Sequence, residues 1–370
     1  MAVFEFNEEQ QELRSAVQTF AEKLFPEGEV RRVADGDLGY DEAAWQQLTQ
    51  QLGLTGLLVP AELGGAGAGF VELAVALEQL AARLAPTPLL SAALATVAIL
   101  SADDPEAAAA LLPGIASGDT VATLAVAEPT GLWAADAMSC VATETETGWR
   151  LDGEKTYVTD GVAADLLIVA ARAADGVAFF AVDGAAPELR RTGLTGFDIT
   201  RRLARVELAG VPARRLGRPD EGAAFEKAMD RVRVLVSAEA LGGADAILKM
   251  AVAYAKDRVQ FGRAIGSFQA IKHMCADALL DVESARSAAY YAAWAADEES
   301  AELPVVAPLA KAFCSDTYFA TASMAIQVHG GIAFTWEHPA HLYYRRAKSD
   351  AQLWGDPVPH RELLATRLGL

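Results

Sequence analysis

The hydrophobic pattern of this chain changes twice, and that change constrains the fold more than any other feature. Two alanine-rich regions with apolar residues at helical spacing flank a region of short runs that alternate like strands. The sequence therefore predicts an N-terminal helical domain over residues 1–118, a central β domain over residues 119–218 and a helical bundle over residues 219–370. With 370 residues, the chain is long enough for two or three such domains.

Polar caps and glycines mark helix ends in the N-terminal domain. Asn7 and Gln10 have the spacing of a capping box. Asp41 can begin a helix that Gly53 closes in the left-handed conformation, and Asp104 precedes a proline at a first helical position. The glycine-rich loop 63–70 lacks a preceding strand and a lysine, so we interpret it as a connector rather than a phosphate loop.

Turn dipeptides organise the β domain. The Asp152-Gly153 pair predicts a turn between two short strands, and the Asp175-Gly176 pair predicts a hairpin.

Longer helices return after Gly222, and their alanines permit close packing in an antiparallel four-helix bundle. Ser267 is the expected cap of the second helix. The expected helices are Phe225–Asp257, Phe268–Ala296, Val305–Val328, His341–Leu353 and a last turn or two over His360–Arg367.

Composition excludes several classes of function. The formal charge of −19 provides no positive field for nucleic acid. Three widely spaced cysteines, without CxxC or Cys/His ligand spacing, indicate neither a disulfide framework nor a metal site. The N-terminus is unlike a secretory signal, and the apolar runs are short for a membrane span, so we expect a soluble cytoplasmic protein.

Two segments of the bundle share a distinctive set of residues. The stretch DRVQFGRAIGSFQAI, residues 257–271, joins two helices, and the third helix stops at QVHGG, residues 327–331. With the domain order, these segments resemble the acyl-CoA dehydrogenase family over essentially the whole chain. The residues concerned are Arg258, Phe261, Gly262, Gln269, Gln327, Gly330 and Gly331.

The resemblance implies a fold and a reaction. In the family, two helical domains sandwich a β barrel, and flavin adenine dinucleotide (FAD) lies in the cleft between subunits. A carboxylate removes the α-proton of an acyl-CoA thioester while the β-hydrogen leaves as hydride to the flavin. Electrons then pass to an electron-transferring flavoprotein. We therefore expect a dimer or tetramer that binds FAD and acyl-CoA.

The resemblance also implies roles for individual residues. Arg258 matches an arginine that grips the flavin diphosphate of the neighbouring subunit, a two-pronged contact suited to a guanidinium. Phe261 matches an aromatic residue beside the cofactor, and Gln269 matches a glutamine near its adenine. Gln327 and the Gly330-Gly331 pair match a turn that the cofactor approaches closely.

The β domain resembles the family less closely. Glu128 and Pro129 match the first flavin motif, but Ala127 replaces a hydroxyl donor and Trp133 stands in place of a small residue. In the second motif, Tyr157 can stack on a flavin edge and Thr159 can donate to the ring system.

The catalytic base is the weakest part of the resemblance. One family position for the base glutamate matches Gly355 and the other matches Val232. The nearest carboxylates are Asp356, one residue beyond the first position, and Glu239, two helical turns from the second. Either is a candidate base, although Asp356 can equally cap a turn and Glu239 can form an internal ion pair.

Three functions follow from the resemblance. The first is an acyl-CoA dehydrogenase of lipid or fatty acid metabolism that uses its own base. The second is a catalytically incomplete subunit that completes the FAD site of a paralogous partner. In this respect the chain resembles actinobacterial members of the family that act on steroid side chains. The third is a flavin-dependent oxidase or monooxygenase, which no particular residue of the sequence supports.

Overall fold

The protein is described by a computed structural model that covers residues 6–219 and 222–370. Six helices come first and form the N-terminal domain. They are α1 (Glu8–Leu24), α2 (Glu27–Asp35), α3 (Glu42–Gln50), α4 (Phe70–Ala81), α5 (Leu89–Ser101) and α6 (Pro105–Ser117).

The predicted caps of this domain are confirmed. Asn7 and Gln10 form a reciprocal capping box at the start of α1. Asp41 accepts a hydrogen bond from the Ala44 amide, and Asp104 caps α6. Gly53 follows α3 with a φ of +64°.

Seven strands form the β domain, and five of them close into a ring. β4 pairs with β2, β2 with β3, β3 with β7, β7 with β5, and β5 again with β4. The central β barrel is thus present, with β1 added to β4 and β6 added to β7. The strands are β1 (Ala122–Ala125), β2 (Val141–Thr145), β3 (Gly148–Thr159), β4 (Leu166–Ala173), β5 (Gly176–Asp183), β6 (Leu189–Leu194) and β7 (Leu203–Leu216).

One of the two predicted turns is wrong. Asp152 and Gly153 lie inside the continuous strand β3, where a register shift follows Leu151. Glycine is needed there because a Cβ at Gly153 would lie 2.8 Å from the Cα of Cys140, and φ is +147°. The second prediction is confirmed, since β4 and β5 form a hairpin at Gly176.

The C-terminal helices match the expected bundle closely. They are α7 (Ala223–Asp257), α8 (Gln269–Asp297), α9 (Leu303–His329), α10 (Ala340–Gln352) and α11 (Pro357–Arg367), with a short hairpin of β8 (Val259–Gln260) and β9 (Arg263–Ala264) between the first two. The prediction that Ser267 caps α8 is wrong: its hydroxyl donates to the Ala264 carbonyl, and Phe268 is the N-cap residue.

Two hydrophobic cores explain how the domains meet. Alternate residues of β4 belong to different cores: Leu167 and Val169 fill the barrel, whereas Ile168 and Ala170 pack with the helices. The N-terminal helices and the bundle therefore share one core that also includes the outer face of the barrel. Within the described residues, no helix is both long enough and apolar enough to cross a membrane.

Candidate functional site

A strained hairpin presents the residues of the 257–271 segment. Its turn places both Phe261 and Gly262 at positive φ, +53° and +76°, as the tightest hairpin turns require. A bulky side chain rarely takes this conformation, and Phe261 is also 91% exposed. Arg258, at the end of α7, is exposed too, and its guanidinium has no hydrogen-bond or ion-pair partner among residues 6–219 and 222–370.

The end of α9 lies beside the end of α7: the ring centroids of Tyr254 and His329 are 4.4 Å apart, and the rings are tilted by 31°. The next residue, Gly330, has φ +66° and ψ −142°, a conformation restricted to glycine. A Cβ atom added at Gly330 or Gly331 would have no other heavy atom of the described residues within 4 Å, apart from its chain neighbours. The small residues are therefore not required by packing inside the chain.

We call this surface the α7–α9 edge. It comprises Arg258, Phe261, Gln269, Gln327, Gly330 and Gly331. Gln269 and Gln327 are exposed, as are the aromatic residues Phe334 and Trp336 that follow the glycines. An edge with exposed aromatics and an unpaired cation is typical of a surface that another molecule covers.

The end of β3 presents the second motif. The register of β3 against β7 breaks between Lys155 and Val158, and Tyr157 in that break has a φ of +54° and is partly exposed. Thr159 is buried, and its hydroxyl is without a partner among the described residues. A buried hydroxyl in this state is unusual and is consistent with a ligand that would accept its hydrogen bond.

Glu128 of the first motif is a structural residue. Its carboxylate accepts hydrogen bonds from the Cys140 amide and from the buried Lys155 ammonium, both within 2.8 Å. Burial opposes ionisation, but the bonds from Lys155, Ser139 and Cys140 lower the pKa of Glu128 overall. This cluster fixes the loop between β1 and β2.

Trp133, on that loop, contacts Trp354, which follows α10. The two ring centroids are 4.5 Å apart at an interplanar angle of 42°. Trp354 is 1% exposed and has a φ of +63°, strained for a residue of this size. We call these residues the tryptophan pair; it bridges the β domain and the bundle.

The two family base positions contain no carboxylate. Val232 is fully buried in α7. At Gly355, φ is +102° and a Cβ would lie 2.8 Å from the Nε2 atom of His360. A glutamate at either place would thus require the surrounding structure to change.

Glu239 belongs to a buried ion network. Its carboxylate contacts the guanidinium groups of Arg201 and Arg346. Arg346 also binds Asp198 at 2.5 Å, and Arg201 binds Asp350 at 2.8 Å. Burial favours the neutral form of Asp198, but Arg346 and Arg201 outweigh it and lower its pKa. Burial raises the pKa of Asp350 to about 7.

This network was only partly expected. The internal ion pair suggested for Glu239 is present, but its partners Arg201 and Arg346 were not predicted. Arg346 turns inward to the network, and Arg345 lies between the rings of Phe197 and Trp336, at 4.9 and 5.0 Å. A doubled arginine on a helix cannot reveal which of its members faces the core.

Asp356 is exposed and caps α11. Its carboxylate accepts a hydrogen bond from the Val358 amide at 3.1 Å, ahead of Pro357 at the first helical position. The alternative role considered from the sequence, a turn or capping residue, is the one these contacts describe. That Asp356 or Glu239 acts as a base stays a prediction, and the contacts of both side chains argue against it.

Sequence reasoning did not find the tryptophan pair or the partners of Glu239. The odd residue Trp133 in the flavin motif was one signal, and Trp354 next to the base position was another. Their contact depends on two segments more than 200 residues apart. Within the described residues, no group of three or more His, Cys, Asp or Glu side chains could hold a metal ion.

Comparison with known proteins gives consistent matches. Residues 7–119 match the family model of the acyl-CoA dehydrogenase N-terminal domain, and residues 221–369 match that of the C-terminal domain. Acyl-CoA dehydrogenase IpdE2 of Mycolicibacterium smegmatis is 37% identical over 351 residues, which cover 95% of this chain and 96% of that protein.

Solved structures agree. A Tcur3481-Tcur3483 steroid ACAD variant superimposes with a TM-score of 0.91 and 30% identity, over 98% of each chain. The ChsE4-ChsE5 complex of Mycobacterium tuberculosis also has a TM-score of 0.91, with 28% identity, over 100% of this chain and 99% of the other.

Proposed function

This chain belongs to the acyl-CoA dehydrogenase family of FAD-dependent oxidoreductases, and from that premise we propose that it works as one subunit of a heteromeric acyl-CoA dehydrogenase. In this proposal its α7–α9 edge completes the FAD site of a paralogous subunit. The observation that carries the proposal is a contrast: the edge is exposed and its Arg258 guanidinium has no partner in the described part of the chain, whereas both candidate bases are engaged in other contacts.

The edge fits a dinucleotide. The unpaired guanidinium of Arg258 would bind the diphosphate through two parallel hydrogen bonds. Gln269 would lie at the adenine, and Phe261 would pack beside the cofactor. Gln327 and the open space at Gly330 and Gly331 would let the cofactor approach the backbone.

The chain's own β domain fits the flavin only in part. The unpaired hydroxyl of Thr159 suits a donor to the ring system, and Tyr157 is exposed enough to stack on a flavin edge. Trp133, by contrast, occupies the place of a small residue and is already in contact with Trp354.

The chemistry of the reaction indicates which subunit must supply the catalytic base. Bound FAD would supply the hydride acceptor for the β-hydrogen of the acyl group. The reaction also requires a base that removes the α-proton from the opposite face. Because Val232 and Gly355 hold no carboxylate, and Glu239 neutralises two buried guanidiniums, the base in this proposal comes from the paralogous subunit.

Substrate and electron acceptor follow from the relatives. A steroid ACAD, a two-component complex and a structure that concerns the electron transferring flavoprotein of Acidaminococcus fermentans are among the similar structures. We therefore propose a CoA thioester of a bulky, steroid-derived acyl group as the substrate, and an electron-transferring flavoprotein as the acceptor.

The test is purification of the chain alone and together with a co-expressed paralogue. We expect a colourless protein alone and a yellow heteromer that an acyl-CoA bleaches in the absence of oxygen. A yellow homomer that bleaches with acyl-CoA would contradict the heteromer and restore Asp356 or Glu239 as the base. Rapid recolouring in air with peroxide formation would instead indicate an oxidase.

A further inference from the structure

The tryptophan pair joins the segment that carries the first flavin motif to the segment that carries a family base position. The family resemblance implies that the acyl thioester lies between the flavin and the base. Trp133 belongs to that motif, and Trp354 directly precedes the base position at Gly355. An acyl chain between two surfaces needs a contact of about 3.5–4 Å on each side, hence roughly 7–8 Å in total. The two rings are only 4.5 Å apart.

We propose that the tryptophan pair closes this chain's own acyl cleft, so that thioester binds only in the cleft of the paralogous subunit. The inference rests on the proposed function, because it states which of the two clefts in a heteromer is open. It goes beyond that function by assigning the closure to two named side chains.

Several bonds keep Trp354 in its strained conformation. Its carbonyl lies 3.0 Å from His360 Nε2, which donates to it. The buried Lys311 ammonium donates to the Asp350 carbonyl at 2.9 Å and to the Gly355 carbonyl at 3.2 Å. A strained residue persists only when its surroundings hold it, and here both flanking segments are tied down.

Beside Thr159 lies a small cavity of about 20 Å³, which is also bordered by Ser91 and by the Arg201, Glu239 and Arg346 side chains of the ion network. This volume holds about one water molecule. Polar and charged walls of this kind would also disfavour an apolar acyl chain.

The test uses a photoreactive acyl-CoA whose acyl chain carries a diazirine, with unlabelled acyl-CoA as competitor. In the wild-type heteromer we expect competition-sensitive labelling of the paralogous subunit and none of this chain. The double variant Trp133→Ser, Trp354→Gly should gain such labelling, because glycine suits the φ of +63° and serine restores a small residue. Trp294→Ser, which removes an exposed tryptophan of α8 outside the cleft, should gain none.

Competition-sensitive labelling of this chain in the wild type would overturn the inference, and so would a folded double variant that gains no label. If the double variant does not fold, Trp133→Ser alone alters a half-buried loop residue and must gain the label. If no heteromer forms, the proposed function fails, but the same labelling of the chain alone still tests the closure, since both tryptophans belong to one chain.

Discussion

The α7–α9 edge and the chain's own cleft contain the two halves of one family site, yet they differ in how their guanidinium groups are paired. At the edge, Arg258 is exposed and has no partner among the described residues, and the backbone at Gly330 faces open space. In the cleft, Arg201 and Arg346 are buried and engaged by carboxylates. An exposed guanidinium without a partner is available to another molecule, whereas buried guanidiniums paired with carboxylates hold the chain together.

The largest effect should come from Glu239→Ala, which tests whether Glu239 stabilises the fold through its ion pairs. Removing the carboxylate leaves Arg201 and Arg346 short of a buried counter-charge, a loss of about 3–5 kcal/mol in unfolding free energy. Glu283→Ala, which removes a partly exposed partner of Arg286, should cost less than about 1 kcal/mol. Denaturant unfolding measures both. Unchanged stability with lost dehydrogenation would identify Glu239 as the base instead.

The second effect is the pH dependence of stability that His360, which contacts the Trp354 carbonyl, contributes. Burial first, then Lys311 and Arg233, lower the pKa of His360 to about 3. The unfolded chain binds this proton near pH 6.5 and the folded one does not, so stability is present above that pH and is lost as pH falls towards 3. The loss is about 1.4 kcal/mol per pH unit.

Melting temperatures of the wild type and of His360→Gln, measured from neutral pH down to about pH 4.5, check this prediction. The variant should show a shallower decline. His273→Gln, which changes an exposed histidine on α8, should follow the wild type. Parallel curves for all three proteins would mean that His360 does not set the acid sensitivity.

The third effect concerns FAD retention at the α7–α9 edge. Arg258→Ala should weaken FAD retention by the heteromer about ten- to a hundredfold, the range for loss of a charge-assisted, two-pronged contact. Arg258→Lys should recover only part of it. Arg263→Ala is the control in the same hairpin, since that guanidinium stacks on Phe268 at 4.1 Å. Flavin content after gel filtration is the measurement, and equal losses in both alanine variants would refute the role of Arg258.

The smallest effect concerns Asp356. As a helix cap, its replacement by alanine should cost about 1 kcal/mol of stability and leave turnover by the heteromer unchanged. Asp356→Asn should be nearly neutral, because asparagine caps helices as well as aspartate does. A large loss of turnover in both variants, with stability retained, would make Asp356 the base after all.

Local patterns predicted a large part of this molecule. The helical capping at Asn7, Asp41 and Asp104, the hairpin at Gly176 and the ends of α7 and α9 were all readable, because caps and periodicity depend on neighbours along the chain. The turn predicted at Gly153 was wrong for the opposite reason: a glycine is required there by the backbone of Cys140, which is not a neighbour along the chain and directly precedes β2.

What the amino-acid sequence determined by itself was the order of the domains, the family and the side chains of the α7–α9 edge, since those residues act from one short hairpin and one helix end. Tertiary structure alone decided that Glu239 pairs with Arg201 and Arg346 and that Trp133 meets Trp354. Their partners come from distant segments, and burial makes such pairing obligatory without indicating in the sequence which residues will pair.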